Sequence, residues 1–335
     1  MNPLGQTHNA SETTAPDMSV TLAGIPLASP LVLLSGCVAF AEDLIALEGF
    51  DFDAVGAICL KGTTLHPRPG NAPNRVAETP AGMLNAIGLQ NPGARTVVEE
   101  ILPRLQQHQL PCRLIANIAG STVEEYGEVA RIFDDSPVDG IEINISCPNV
   151  KEGGVAFGSD AAIAARVVET VRDATSKPLI TKLSPNVTDI QEVARATIES
   201  GTDALSVINT LMGMAVDIRS RKPVLGNIQG GLSGPAIKPV ALLKTWQVHQ
   251  VAAPHAIPII GQGGVASGED AVAFMLVGAT AVGMCTTLFR NPWAPAEVLT
   301  EMRRYAESNT TERISDLIGG LITEESPTKR SECGT

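Results

Sequence analysis

The stretch that decides the fold is Gly140-Ile-Glu-Ile-Asn-Ile-Ser-Cys-Pro-Asn-Val-Lys-Glu-Gly-Gly-Val-Ala-Phe-Gly158. Its first residues alternate isoleucine with Glu142 and Asn144, and alternation with a period of two predicts a β-strand. Pro148 ends this strand, because proline has no N–H to donate within a sheet. Asn144 therefore lies near the carboxyl end of the strand, and Cys147 lies on the loop just beyond it. In parallel α/β proteins chemistry takes place at that end, so Cys147 is the candidate catalytic residue.

Seven more apolar runs accompany this one, each ending in small or polar residues, and helical patterns lie between most of them. Two of these helices, within Asp160–Ala174 and Asp189–Ser200, begin at an acidic N-cap residue. Eight such units predict a (β/α)8 TIM barrel rather than an open doubly wound sheet. The predicted strands lie in Leu31–Gly36, Ala57–Gly62, Arg113–Ala119, Ile141–Ser146, Leu179–Ser184, Ala204–Thr210, Ile257–Gly263 and Ala281–Thr286.

The remaining segments predict how the barrel is closed at its two ends. Ser19–Ala28 is a short hairpin pattern that we expect to cover the barrel floor. Thr63–Gly93 and Leu211–Pro239 are long insertions after strands 2 and 6, rich in Gly, Pro and Asn, and should roof the active site. The predicted domain is therefore one barrel over residues 19–322, between a disordered N-terminal extension (1–18) and a flexible tail (323–335).

Composition narrows the classes of function. Of the 335 residues 44% are hydrophobic and only 3% aromatic, so the core must be mainly aliphatic. The net charge is −12, and no cluster of Lys and Arg with interleaved aromatic residues occurs, so we expect no nucleic-acid partner. The N-terminus has no signal-peptide pattern and no apolar run approaches the ~20 residues of a membrane span. These features predict a cytoplasmic protein with no membrane association.

The six cysteines lie far apart in the sequence and form no C-x-x-C pair. This spacing predicts neither disulfides nor zinc nor an iron–sulfur cluster within the chain. The five histidines show no paired ligand spacing, so no metal site is predicted.

Gly261-Gln-Gly-Gly-Val-Ala266 formally fits a dinucleotide-binding fingerprint, but it follows the seventh strand and no acidic residue ends the next strand. A phosphate site after strands 7 and 8 of a barrel suits it better. Gly263-Gly264 and Cys285-Thr286 would be its two turns. The alternative is that these are tight turns that only pack against helices.

Two lysines and several asparagines stand at predicted strand ends or in the roof loops. Lys61 and Lys182 need an anionic partner if they point into the barrel mouth, or else they extend to solvent. Convergent amides suit a planar ring with alternating C=O and N–H groups, such as a pyrimidine or a flavin, although any one of them could instead cap a turn. Cys147 alone could be an inert buried thiol. The asparagines are Asn85, Asn117, Asn144, Asn149, Asn186 and Asn209.

From about Val20 to about Leu321 the chain resembles the class 1 dihydroorotate dehydrogenases, which are FMN enzymes on a (β/α)8 barrel. His66-Pro-Arg68 and Lys151-Glu-Gly-Gly154 are most similar to the NAD-linked, two-subunit subgroup. The motifs that carry the resemblance are Ser35-Gly36-Cys37, Lys61–Arg68, Gly82–Gly93, Asn144–Asn149, Lys182–Asn186, Ile208–Thr210, Gly231–Pro235 and Gly263-Gly264.

The resemblance implies a role for each site residue. Cys147 would take the C5 proton of dihydroorotate while hydride passes from C6 to FMN, and Lys182 would stabilise the reduced ring. Orotate would contact Lys61, Asn85, Gly88, Leu89, Asn144, Asn209 and Thr210. FMN would contact Ser35, Gly36, Lys61, Gly62, Asn117, Asn144, Lys182, Ile208 and Gly234, and its phosphate would contact Gly263, Gly264, Cys285 and Thr286.

The resemblance also implies a partner. In this subgroup a separate subunit carrying FAD and [2Fe–2S] passes electrons from FMN to NAD, in a heterotetramer built on a homodimer. One departure stands out, because the family usually has Gly-Thr where this chain has Cys285-Thr286. Three alternatives stay open: a dihydropyrimidine dehydrogenase of the dihydrouracil type, a fumarate-linked homodimer, and a non-catalytic flavin-binding or phosphate-binding barrel subunit. Pro148–Gly158 is expected to act as a lid, with its glycines as hinges.

Overall fold

The computed structural model describes residues 15–145, 151–152 and 155–323. Eight parallel strands form a closed barrel in chain order. Seven lie within the predicted runs, and the fourth begins one residue before its run, at Gly140. The (β/α)8 fold class is thus confirmed. The barrel strands are β3 (Leu31–Leu33), β4 (Ala57–Cys59), β7 (Arg113–Ile118), β8 (Gly140–Asn144), β11 (Leu179–Leu183), β12 (Ala204–Val207), β17 (Ile259–Gln262) and β18 (Ala281–Met284).

The helices return the chain from one barrel strand to the next. As predicted, Asp160 and Asp189 cap two of them, and their side chains accept hydrogen bonds from N–H groups of the first turn. The helices are α1 (Ser35–Val38), α2 (Glu42–Ile45), α3 (Ala94–Thr96), α4 (Leu102–Gln107), α5 (Val123–Asp134), α6 (Ala161–Arg172), α7 (Ile190–Glu199), α8 (Lys238–Ala252), α9 (Gly268–Leu276) and α10 (Ala294–Ser308). A π-helical turn spans Val97–Ile101, and 3₁₀ turns span Phe52–Ala54, Phe157–Ser159, Pro235–Ile237, Ala253–His255, Thr286–Phe289 and Ile314–Leu317.

The predicted N-terminal hairpin consists of β1 (Val20–Leu22) and β2 (Ile25–Leu27). Arg113 at the start of β7 donates from Nε to the Pro26 carbonyl at 3.2 Å. A Cβ atom on Gly140, at the start of β8, would lie 3.0 Å from Ile25. The hairpin therefore packs against the amino ends of the barrel strands, opposite the end where strands deliver catalytic residues.

The two long insertions meet above the carboxyl ends of the strands. The first contributes β5 (Val76–Thr79) and β6 (Gly82–Asn85), and the second contributes β13 (Leu211–Met214) and β16 (Gln229–Ser233). These four strands form one sheet in the order β13-β16-β6-β5, which we call the roof sheet. Asn85 and Gly231 are paired across it. The second insertion also contains the short pair β14 (Val216–Asp217) and β15 (Lys222–Pro223).

The ends of the described chain also pack on the barrel. The Asp17 N–H donates to the Glu312 carbonyl and the Ile314 N–H donates to the Asp17 carbonyl, both at 2.8 Å. Met18 is buried. Residues 1–14 of the predicted extension and 324–335 of the predicted tail lie outside the described residues. Within the described ranges, every helix is too short or too polar to cross a bilayer.

The segment expected to act as a lid is described only in part. β9 (Lys151–Glu152) and β10 (Val155–Ala156) pair antiparallel within it. Residues 146–150 and 153–154, which include Cys147 and Asn149, lie outside the described residues.

Candidate active site

One cavity opens at the carboxyl end of the barrel, beneath the roof sheet. Its walls come from the ends of seven barrel strands and from roof residues such as Met83, Asn85 and Ser233. Most of the predicted site residues line it: Ser35, Gly36, Lys61, Gly62, Asn85, Gly88, Leu89, Asn144, Lys182, Ile208, Asn209, Thr210, Gly234, Gly263, Gly264, Cys285 and Thr286. Asn117 instead lies buried, with its amide oxygen close to Gly62. Cys147 is outside the described residues, so the structure does not place it.

The two predicted phosphate turns lie side by side at one end of the cavity. Gly263 and Gly264 follow β17 with φ of 128° and 88°, which favours glycine. Their N–H groups donate no hydrogen bond to any residue in the described ranges. The Thr287 hydroxyl, in the turn after β18, donates to the Val265 carbonyl at 2.8 Å and links the two turns.

The N-terminus of α9 is already occupied by the chain itself. Ser267 and Asp270 form a capping box there, and the Gly268 N–H donates to Glu301. Asp270 also accepts the N–H of Ala266. An anion at this end of the cavity would therefore be held by the glycine turns rather than by the helix.

The prediction that the chain has no disulfide is wrong. Cys37 and Cys285 form one, with Cα atoms 5.4 Å apart although 248 residues separate them in sequence. Sequence spacing failed here because barrel closure makes β3 and β18 neighbours, so the residues that follow both strands meet. The side chain at position 285, where the resemblance led us to expect glycine, is thus directed to Cys37. Cys59 and Cys112 are free and buried.

Lys61 brings a positive charge into the cavity without a countercharge. Within the described ranges its ammonium makes no ion pair, and the cavity-lining residues include no Asp or Glu. Burial lowers the pKa of Lys61 from its ordinary value. An anionic ligand would relieve this cost.

Lys182, by contrast, has an internal partner. Its ammonium lies 3.5 Å from Glu142 Oε1, and the two side chains are 8% and 1% exposed. Glu142 also accepts hydrogen bonds from the Asn117 amide and from the Cys59 thiol. The floor of the cavity therefore rests on a buried polar cluster of four residues from four strands.

The amides of the cavity are oriented by the chain's own hydrogen bonds. Asn209 donates from Nδ2 to Asn144 Oδ1 at 3.3 Å and accepts the Thr210 N–H at 2.8 Å. The Tyr126 hydroxyl donates to the Asn144 carbonyl at 2.8 Å. In the roof sheet, Asn85 donates to the Gly231 carbonyl at 3.3 Å. These contacts fix the direction of the donors and acceptors that a ligand would meet.

Two further acceptors lie buried, one in the lining of the cavity and one behind it, next to Gly62. Asn117 Oδ1 and Gln262 Oε1 are shielded from solvent and receive no hydrogen bond from the described part of the chain. Gln262 lines the cavity, and its Nε2 donates to the Ile208 carbonyl at 3.0 Å. Both oxygens could accept from N–H or hydroxyl groups of a ligand.

Sequence reasoning missed Glu142, Gln262 and Cys37. Glu142 was visible as a charged residue within an isoleucine-rich run, and Gln262 as an amide at the end of β17. These two residues could have been recognised as important because both faces of a barrel strand are covered. A polar side chain in such a strand must therefore have a partner.

Comparison with known proteins identifies the family. The sequence profile described as dihydroorotate dehydrogenase matches residues 17–305. A relative from Pelobacter propionicus, named dihydroorotate dehydrogenase B (NAD(+)), catalytic subunit, is 50% identical over 91% of this chain and 99% of its own length. Relatives with the same name from Geotalea uraniireducens and Desulforamulus reducens are 49% and 47% identical, over 92% and 90% of this chain and 99% and 98% of their own lengths. The chain belongs to the dihydroorotate dehydrogenase family.

Proposed function

We propose that the chain is the catalytic subunit of an NAD-linked dihydroorotate dehydrogenase, which oxidises (S)-dihydroorotate to orotate in de novo pyrimidine biosynthesis. The main observation in support is that one cavity at the carboxyl end of the barrel is lined by several amides, by two lysines and by the turns at Gly263-Gly264 and Cys285-Thr286. The shared name of the relatives supports it.

The residues present fit FMN. The N–H groups of Gly263 and Gly264, which have no acceptor among the described residues, suit a phosphate, with Cys285 and Thr286 beside them. The side-chain oxygens of Asn117 and Gln262, which receive no hydrogen bond from the described part of the chain, suit the N–H and hydroxyl groups of the cofactor. Ser35, Gly36, Lys61, Gly62, Asn144, Lys182, Ile208 and Gly234 would complete the contacts. When bound, FMN would accept the hydride that leaves C6 of the substrate.

The substrate would lie between the barrel mouth and the roof sheet. Asn144, Asn209, Asn85 and Thr210 present oriented amide and hydroxyl groups to the ring. Lys61 would pair with the carboxylate, with Gly88 and Leu89 nearby. These contacts would hold C6 toward the cofactor and C5 toward the base, which is the positioning that hydride and proton transfer require.

Cys147 is the proposed base for the C5 proton. An unperturbed thiol has a pKa near ~8.5, so the rate should rise toward alkaline pH as the thiolate forms. Pro148–Gly158 is proposed as a lid over the site.

Electrons would leave this chain through a second subunit. We propose a partner carrying FAD and [2Fe–2S] that reduces NAD, in a cytoplasmic heterotetramer built on a dimer of this chain. The relatives are named catalytic subunits, which supports a separate partner. NADH formation that requires an added electron-transfer subunit would agree with this arrangement, whereas turnover with fumarate alone would favour the fumarate-linked alternative.

The test is an anaerobic half-reaction of the purified, FMN-loaded chain. Dihydroorotate should bleach the flavin rapidly, and Cys147→Ser or Cys147→Ala should keep FMN bound but slow bleaching strongly. Dihydrouracil should have little effect. Bleaching by dihydrouracil but not by dihydroorotate would contradict the proposal and favour a dihydropyrimidine dehydrogenase. No bleaching by either compound would point to a non-catalytic barrel.

A further inference from the structure

Glu142 lies beneath the cavity and not in its wall. Glu142 and Asn144 are two residues apart on β8 and therefore point to the same face of the strand. Asn144 lines the cavity, whereas Glu142 lies one layer deeper and is 1% exposed. A bound ring would meet Asn144 and Lys182 but not Glu142.

The observed polar contacts of the Glu142 carboxylate all involve one oxygen, Oε1. Oε1 accepts from the Asn117 amide and from Cys59 Sγ at 3.1 Å, and it lies 3.5 Å from Lys182 Nζ. Oε2 is buried and receives no hydrogen bond from the residues that the structure describes. Burial raises the pKa of the Cys59 thiol well above its ordinary value, so this group stays a neutral donor. The cluster thus fixes the carboxylate directly under the ammonium.

We propose that Glu142 is a positioning residue that holds Lys182 in its charged form and directs it at the flavin ring. This inference rests on the proposed function, because Lys182 acts on FMN only if FMN is bound. A buried ammonium beside an uncharged oxidised ring needs a fixed anion, and Glu142 supplies it before reduction begins. The reaction therefore starts with the positive charge already in place, where negative charge develops on the ring.

In this role, Glu142 determines how many protons the protein and the flavin together take up when the flavin is reduced. With Glu142 present, Lys182 stays protonated throughout, so two electrons enter together with one proton and the ring becomes anionic. Without Glu142, Lys182 would be neutral beside the oxidised ring and would take up a second proton when the ring becomes negative. Among the residues that the structure describes, the other titratable groups nearby are Cys59, which belongs to the cluster, and Lys61, which lines the same cavity. Both are unchanged between the proteins to be compared.

The first experiment uses FMN-loaded chain reduced with dithionite in the presence of a redox dye. The midpoint potential of FMN is measured against pH for the wild type and for Glu142→Gln, which keeps the shape and an acceptor for Asn117 and Cys59. The change of the midpoint potential per pH unit should be twice as large in Glu142→Gln as in the wild type. Glu142→Asp should restore the wild-type value. Equal slopes for the wild type and Glu142→Gln would overturn the proposal.

A second measurement does not depend on the proposed function. In flavin-free protein with ¹³Cε-labelled lysine, the NMR signal of Lys182 should depend on pH differently in the wild type and in Glu142→Gln, because the ion pair with Glu142 favours the charged form. Identical pH dependences would overturn the inference about Glu142 itself. Failure of dihydroorotate to bleach the flavin would instead count against the proposed function. The potential and NMR measurements do not use dihydroorotate, so they would still test the role of Glu142.

Glu142→Gln could fail to fold because it leaves a buried ammonium unpaired. The double variant Glu142→Gln/Lys182→Met removes both charges and should then regain stability. A double variant as unstable as the single one would contradict the coupling of these two residues.

Discussion

Lys61 links ligand binding to pH at the scale of one residue. Burial lowers the pKa of Lys61 in the ligand-free protein, and a bound carboxylate would favour the charged form. Affinity for orotate should therefore be greatest below the lowered pKa and fall by about tenfold per pH unit above it, until the pKa of the complex is reached. Equilibrium titration of FMN-loaded chain with orotate, followed by the flavin spectrum, measures this dependence.

The control distinguishes the effect of Lys61 from that of the Cys147 thiol, the proposed base, which is also titratable. The titration is made in a Cys147→Ala background, with and without Lys61→Met. The Lys61→Met protein should bind orotate weakly and with little dependence on pH. An unchanged pH dependence in the absence of Lys61 would show that another group carries the effect.

Single residues at strand ends could be predicted from the sequence, but their partners could not. Lys61, Asn144 and Lys182 follow apolar runs, so the parallel fold alone brings them to one end of the barrel. The pairing of Glu142 with Lys182 depends on the register of β8 and β11, which places Asn144 beside Lys182. No local pattern specifies that register.

The Cys37–Cys285 disulfide links α1 to the residue just before the turn Thr286–Phe289, where the first and last barrel strands meet. It joins positions 248 residues apart and so removes much freedom from the unfolded chain. Reduction by a dithiol should lower the free energy of unfolding by about 2–4 kcal/mol. Denaturant unfolding with and without reductant measures this loss.

Cys37→Ser is the matched control for the disulfide. Its unfolding free energy should resemble that of the reduced wild type and should not respond to reductant. Thiol titration of the denatured wild type should find two more thiols after reduction than before. The same count under both conditions would contradict the disulfide.

Gly231 of the roof sheet lies against a predicted substrate contact. A Cβ atom at this position would lie 2.0 Å from the Thr210 hydroxyl oxygen. Gly231→Ala should therefore displace Thr210 and raise the KM for dihydroorotate about tenfold or more, while the fold and FMN binding persist.

Gly213→Ala provides the control within the same sheet. Its new methyl group would meet the end of the Leu84 side chain at 3.0 Å, which can shift, and Leu232 Cβ at 3.7 Å, which is an ordinary van der Waals contact. Steady-state kinetics should show a KM close to that of the wild type. Equal KM values for both variants would show that the contact between Gly231 and Thr210 does not shape the site.

Helices and strands could be predicted where a short stretch of sequence specifies them. Apolar runs and acidic N-caps identified the eight barrel strands and the helices that begin after Asp160 and Asp189. The roof sheet was expected only as two long insertions, because the pairing of Asn85 with Gly231 joins residues 146 positions apart. Contacts of that kind come from the closed barrel and not from the pattern of either insertion.

The whole molecule combines a strongly acidic chain with a cationic cavity. The net charge is −12, yet the described lining of the cavity includes Lys61 and Lys182 and no carboxylate side chain. This contrast is what a site for two anions, a phosphate and a carboxylate, requires. The barrel achieves it because strands far apart in sequence deliver their end residues to one opening.

The most direct measurement is a crystal structure of the chain with FMN and orotate. The account predicts phosphate oxygens about 3 Å from the N–H groups of Gly263 and Gly264, the ring over Lys182, and orotate between Lys61 and Asn209. Cys147 should then lie over C5 of the pyrimidine. A phosphate bound away from these turns, or a pyrimidine outside the cavity, would contradict the account.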